Sequence, residues 1–358
     1  MAASNSTSCE HPLKRVAVTG ATGFVGGHLI ERLRELGAQV VCTCRPSSNR
    51  RFLEEQGYDC RVFDPTDADR WKSVLEGVDV VFHLAASTAA KRTREYYSAN
   101  TALTRRIGRA AASLPNPPLV VYCSSVAAAG PVPPGQIRLP GTPVAPVSHY
   151  GRSKRGGELA VAELAGSVPA TIVRPGIVFG PRNRELYPVF SSIARVRTHV
   201  VPGVRCPQLS FIHVADLVEI LVRAAVRGAR LPAGPAQENG DLDGGLANNE
   251  GVYFAGAPEA LDYRDFGYAV ARAVGWRKHL TLHVPHPVPW VIAAAVETWC
   301  RLNDRPAPFQ IDKIREASAP CWVCHDPRVP EELQFEFPFP LQERIEQTVA
   351  WYRREGWL

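Results

Sequence analysis

Three glycines spaced three apart, Gly20, Gly23 and Gly26, separate two apolar patterns of different period, and no other stretch constrains the chain as tightly. Before them Val16, Ala17 and Val18 form a short apolar run. After them Phe24, Val25, Leu29, Leu33 and Leu36 recur at helical spacing. Residues 15–36 (RVAVTGATGFVGGHLIERLREL) therefore read as strand, tight turn and helix. A glycine in such a turn admits positive φ, and its missing Cβ lets a diphosphate approach the backbone. The N–H groups opening the helix, around Phe24 and Val25, would point at that anion with the helix dipole behind them. Gly20, Thr22, Gly23, Phe24, Val25 and Gly26 are the candidate cradle of a dinucleotide site. Their G-x-x-G-x-x-G spacing departs from the G-x-G-x-x-G fingerprint.

Bulk properties narrow the class. A chain of 358 residues makes two lobes or one large α/β domain. With 45% hydrophobic and 21% charged residues it has the composition of a soluble globular protein. The formal charge of +6, from 41 basic against 35 acidic residues, is spread without a long basic block. Nucleic-acid binding is therefore not expected, whereas an anionic small ligand is. No apolar run is long enough to span a bilayer. Residues 1–13 lack an apolar core and read as a disordered tail, not a signal peptide. Nine cysteines, an odd number without framework spacing, suggest reduced thiols and a cytoplasmic location. Cys321, Cys324 and His325 spell C-x-x-C-H, but haem attachment requires export and zinc requires a second Cys/His pair, so the pattern reads as coincidence.

Along the chain, residues 39–43 (QVVCT) form the second strand, whose end meets the adenosine ribose in a dinucleotide fold. No carboxylate stands there. Arg45 follows, with Arg50 and Arg51 in reach, and a guanidinium pairs a phosphate bidentately. NADP(H) is therefore favoured over NAD(H), with solvated loop arginines as the competing reading. The third strand (60–63) ends at Asp64, placed to accept from the adenine amino group or to cap the helix over 68–75. The fourth (78–82) runs into His83, Leu84, Ala85 and Ala86, small residues that leave room at the sheet crevice. A helix over 92–112 carries Asn100, and the fifth strand (119–123) ends in Ser124 and Ser125. Strands alternating with helices of these lengths predict a doubly wound parallel sheet, a Rossmann fold of the α/β class.

Residues 126–147 are rich in Pro, Gly and Ala and read as a long functional loop. His149 then opens a helix in which Tyr150 and Lys154 share a face. A free phenol is a poor base at neutral pH, and a neighbouring ammonium would bring its pKa toward the working range.

The turn TGATGFVG at 19–26, HLAA at 83–86, Asn100, Ser124–Ser125 and Tyr150-x-x-x-Lys154 together resemble the extended short-chain dehydrogenases/reductases. That group includes the NAD(P)-dependent epimerase/dehydratase and 3β-hydroxysteroid dehydrogenase-like families. VRPGIVFGPR at 173–182, FIHVADL at 211–217 and TVAWYRREGWL at 348–358 agree, so the resemblance covers nearly the whole chain from Lys14. It implies that Tyr150 is the general acid/base and that Lys154 binds the nicotinamide ribose and lowers the tyrosine pKa. Ser125 would hydrogen-bond the reacting oxygen, and Pro175, Ile177 and Val178 would hold the carboxamide end of the cofactor through their backbone. Sugar 4,6-dehydratases carry Asp-Glu after this hydroxyl residue; Val126 and Ala127 stand here and transfer no protons, so dehydration is not expected.

The expected layout is a dinucleotide-binding domain over 14–180, with 209–230 returning to it. The remainder, 181–208 and 231–358, forms a smaller, mostly helical substrate lobe. Beyond 180, 185–197, 214–226 and 262–274 read as helices, 231–250 as a flexible surface loop, and 286–302 as a core helix. The competing reading for 286–302 is a wall of a lipophilic pocket or a surface that touches membrane. The expected activity is interconversion of a secondary alcohol and a ketone on a bulky, lipophilic, sterol-like small molecule. A nucleotide-sugar epimerase and a non-catalytic dinucleotide sensor are the alternatives; a homodimer is compatible with all three. No metal site is expected.

Overall fold

The computed structural model describes residues 13–203, 206–233, 246, 249–285, 287–303 and 310–358. The expected strands of the N-terminal half all form: β1 (Arg15–Thr19), β2 (Gln39–Cys44), β3 (Asp59–Val62), β4 (Val80–His83) and β5 (Leu119–Cys123). They are followed by β6 (Ala170–Pro175), β7 (Ile177–Phe179), β8 (Thr198–Pro202), β9 (Gln208–His213) and β10 (Val252–Ala255). The main sheet runs β10-β6-β5-β4-β1-β2-β3, all parallel, with its order reversing beside β1. Ligands of open α/β sheets bind at such a switch point.

Helices cover both faces. They are α1 (Phe24–Glu35), α2 (Arg51–Glu55), α3 (Ala68–Leu75), α4 (Thr93–Tyr97), α5 (Leu103–Ala112), α6 (Val126–Ala129), α7 (His149–Ala162), α8 (Tyr187–Val196) and α9 (Val214–Val226). Side-chain alternation along β1 divides the core: Val16 and Val18 join Leu29, Leu33 and Leu221 of α1 and α9 on one face. Ala17 faces Trp71, Ile107 and Val161 of α3, α5 and α7 on the other. Both faces are dry, which explains the near-continuous apolar runs of these strands.

The remaining elements are β11 (Ala260–Asp262), α10 (Tyr263–Val274), β12 (Leu280–Val284), α11 (Pro287–Leu302), α12 (Ile311–Ala317), β13 (Cys321–Trp322), α13 (Arg328–Glu331) and α14 (Leu341–Arg354). β9 is the centre of a small sheet with β7, β11 and β13, and β8 pairs with β12. Their core is aromatic: Phe211 stacks on Phe266 at 4.3 Å, and Phe190 and Tyr352 close around them.

Several readings of the sequence need correction. β10, assigned above to the second lobe, is the seventh strand of the main sheet, while β9 pairs with β7 outside it. Leu13, taken as tail, is buried against the β1–α1 core. The 126–147 segment begins with the short helix α6, and the buried Arg138 guanidinium gathers the carbonyls of Gly130, Pro131, Thr142 and Pro143. The expected loop at 231–250 falls mostly outside the described residues, although Leu231 and Leu246 are buried in the core. α11 is not a core helix, for Val291, Trp299 and Leu302 are 68%, 56% and 82% exposed. Cys321, in β13, and Cys324, just beyond it, are buried free thiols.

Candidate active site

The C-terminal ends of the parallel strands open onto a cavity of about 1340 Å³. The turn at 20–27 lines one side and Ser125, Tyr150 and Lys154 another, with Pro175, Ile177 and Val178 between them. Of the residues singled out from the sequence, Arg45, Asp64, Ala85 and Asn100 do not line it.

The turn is shaped by backbone proximity. Gly20 has φ of 75°, and a Cβ there would lie 2.8 Å from the Ala85 nitrogen. A Cβ on Gly26 would press into the Gly20 carbonyl, so α1 can begin this close to β1 only with glycine there. Gly23 is the N-cap of α1 and offers no side chain to the first-turn N–H groups, which are left for a ligand. These features fit a dinucleotide diphosphate, and the N–H groups of the first turn would hold it. Gly26→Ala should therefore push the turn open, weakening NADPH binding at least about tenfold for a stability cost of about 1–3 kcal/mol. Calorimetric titration beside a thermal melt checks this; unchanged affinity would remove the diphosphate from this turn.

The residues outside the cavity have other work. Asn100 is buried in a π-helical turn (Ser98–Ala102), where its amide accepts from Ser87 N and donates to Ser87 O and Ser153 Oγ. It ties the segment after β4 to α7. Ala85 N donates to Thr19 Oγ1 at 3.0 Å and packs on Gly20. Asp64 is exposed and accepts from Thr66 within its own turn, while Asp67 caps α3. Arg45 is exposed, in a turn closed from Ser48 N to its own carbonyl. The chain returns to the cavity at Asn49 and Arg51, and the Arg51 guanidinium pairs with Glu55 at 2.7 Å.

Ser125 caps α6, its hydroxyl accepting from Ala127 N at 3.2 Å. α7 is started by Ser148, whose hydroxyl accepts from Gly151 N. Burial pushes the Tyr150 phenol well above its usual range, the Glu316 carboxylate pushes the same way, and a hydrogen bond with Ser125 opposes both. Lys154 is not among the groups that move this phenol most. Its ammonium donates to the Cys123 carbonyl at 2.7 Å and lies 4.3 Å from the Tyr122 ring centroid, and burial brings it down to about 8. Burial and Glu316, rather than Lys154, dominate the phenol's shift, and the Lys154 ammonium is engaged by the Cys123 carbonyl: one turn of helix brings two residues to one face but does not aim their side chains.

Four side chains at this site were missed by sequence reasoning. α12 crosses the start of α7, where Asp312 accepts from His149 N at 2.7 Å and Tyr150 N at 2.9 Å. Glu316 accepts from Ser148 Oγ at 2.6 Å, and the Lys313 ammonium sits 4.9 Å from the centre of the Tyr150 ring. Below the serine pair, Glu158 accepts from Ser124 Oγ at 2.6 Å and from Arg155 at 2.9 Å. It also receives Arg174 bidentately, with both bonds at 2.8 Å. Burial works to raise its carboxyl pKa, but Arg174 and then Arg155 hold it down at about 2. Glu158 continues the Tyr150–Lys154 stripe by one turn, a signal the spacing already contained.

A switch-point cavity with a glycine cradle on one wall and a Ser-Tyr-Lys set on another defines an oxidoreductase of the extended short-chain type. Residues 16–236 match the NAD dependent epimerase/dehydratase family, and the chain belongs to it. It is similar to a ceramide reductase of Caulobacter vibrioides, 27% identical over 96% of both chains. It is also similar to a UDP-glucose 4-epimerase of Mycolicibacterium smegmatis, 28% identical over 76% of this chain and 86% of that one. The fold matches MoeE5, solved with UDP-glucose and NAD, with a TM-score of 0.70 at 20% identity over 96% of this chain and 99% of that one.

Proposed function

We propose that the protein reduces the carbonyl of a bulky, apolar molecule to a secondary alcohol, using NADP(H) in preference to NAD(H). A single observation carries this reading: Ser125 and Tyr150 line the same cavity as Leu186, Val201, Leu209, Ile314 and Trp322. A protonated phenol beside a carbonyl can give its proton to the oxygen as hydride reaches the carbon. Tyr150 would give its proton to the carbonyl oxygen while Ser125 donates a second hydrogen bond that stabilises the developing charge. A bound reduced nicotinamide would supply the hydride. Lys154 would hold the cofactor ribose, and the Pro175, Ile177 and Val178 backbone its carboxamide end. The ceramide reductase similarity over nearly the full length supports a lipophilic substrate. Val126 and Ala127, buried at the start of α6, offer no acid or base for dehydration.

Support for NADP(H) moves from Arg45 to Arg51, which lines the cavity in a segment with no carboxylate at the end of β2. A guanidinium–phosphate pair contributes ~1.5–3 kcal/mol, at the low end for so exposed a side chain, or roughly tenfold in affinity. With an apolar ketone, NADPH should be consumed one for one with the alcohol formed, and Arg51→Ala should narrow the NADPH over NADH preference. Interconversion of a nucleotide sugar with no net cofactor consumption would instead identify an epimerase.

A further inference from the structure

We infer that β8, β12 and α11 form a docking face for an anionic lipid surface. Alternation places Val200, Leu280 and Leu282 on one side of the two-stranded β8–β12 sheet, with Val200 directly paired to Leu282. All three are exposed, whereas Val201, on the opposite side, is buried in the cavity wall. α11 follows β12 almost at once, and its exposed residues Val288, Val291, Ile292, Trp299 and Leu302 fall at i, i+3, i+4, i+11 and i+14, one face of a helix. They make one apolar stripe without a charge, while Ala293 and Cys300 face inward. Eight of the seventeen exposed large apolar side chains among the described residues lie on β8, β12 and α11.

Charge identifies the occupant. β8 and β12 are parallel, so both strands begin at the same edge. Arg195 and Arg197 stand before one start and Arg277 and Lys278 before the other, all four exposed. No Asp or Glu occurs in 186–203 or in 275–296, and Glu297, within α11, falls at helical spacing on the side away from the apolar stripe. An apolar face with a tryptophan, rimmed by cations and free of acids, matches the headgroup region of a negatively charged leaflet. A second copy of the chain, docking through the same face, would bring one basic rim against another. No helix among the described residues is long and apolar enough to cross a membrane, so the contact is a surface one. α11 packs against α12, which supplies Lys313, Ile314 and Glu316 to the cavity wall, so the docked face borders the cavity.

The test is co-sedimentation of the full chain with vesicles of equal phosphatidylcholine and phosphatidylglycerol, and with phosphatidylcholine alone. Binding should be stronger to the anionic vesicles and should weaken between about 0.1 M and about 1 M salt. Val291→Glu with Trp299→Glu should lower partitioning at least about tenfold. Arg277→Glu with Lys278→Glu should lower it about fivefold per residue on anionic vesicles only. These side chains are exposed, so thermal melts should not change; Trp299→Ser is the milder variant should the double charge disturb folding. Three outcomes overturn the proposal. One is a wild-type chain that stays in the supernatant with both vesicles. Another is an apolar-face variant that binds like wild type. The third is a wild-type dimer in light scattering that Val291→Glu splits, which would assign the face to a second copy. None of these readouts depends on the reaction proposed above.

Discussion

Tyr150→Phe is expected to lower kcat by about 10²–10⁴ while changing NADPH affinity by less than about threefold. The ring stays, so its edge contact with Tyr96 at 6.2 Å and the Lys313 ammonium over its face survive. Only the phenolic proton donor is lost. The pH dependence separates the two titratable members of the site. Burial and Glu316 raise the phenol pKa, so Tyr150 keeps its proton at and beyond its ordinary range. Burial lowers Lys154 to about 8, so its ammonium is lost as pH rises through that value. The alkaline limb of kcat/KM, which reports the free enzyme, should therefore fall near pH 8 and belong to Lys154. A limb appearing only at much higher pH would transfer it to the tyrosine. Residual turnover within about tenfold of wild type in Tyr150→Phe would remove Tyr150 as the proton donor.

What could be read from the sequence was local. The cradle was legible because the strand, the turn and the helix that make it are consecutive in 15–36, and each carries its own period. Tyr150 and Lys154 were legible because four residues is one helical turn. Arg45 shows where local reading fails. Adjacency to β2 suggested a ribose contact, but the turn closed by Ser48 N leaves Arg45 in solvent and returns the chain at Arg51. The partner of a parallel strand is likewise absent from its own sequence. β10 carries the same apolar signal whether it extends the main sheet or starts a second one, and only pairing with β6 decides.

The wall that α12 gives the cavity was not legible at all. Asp312 and Glu316 reach the start of α7 from more than 160 residues away in the chain. In sequence they are two acids of a short amphipathic helix, indistinguishable from a solvated face. The exposed stripe of α11 misled for the opposite reason. An apolar helix read alone says that it must be covered, but not whether by protein or by something outside the chain.

Glu158→Gln should cost about 3–5 kcal/mol of stability, because it leaves the Arg174 and Arg155 guanidiniums buried beside a neutral amide. The carboxylate lies fully inside the protein and receives Ser124 together with both arginines, so no water replaces the lost charge. The sign of the pH dependence follows from its lowered pKa. A folded-state value of about 2 against an ordinary 4.5 means the contribution is fully present above 4.5 and is lost as pH falls toward 2. That difference corresponds to about 3 kcal/mol, consistent with the cost of the substitution. Urea midpoints measured from pH 7 down to pH 3 should decline below 4.5 in wild type and decline less in Glu158→Gln, which has no carboxyl to protonate there. Glu158→Gln combined with Arg174→Met should recover part of the loss by removing the stranded charge. The same variant should also lower kcat, since Ser124 holds the end of β5 from which Ser125 projects, and the double variant should not restore it. A urea midpoint equal to wild type at pH 7 would show that the arginines find other partners and that Glu158 does not anchor the serine pair.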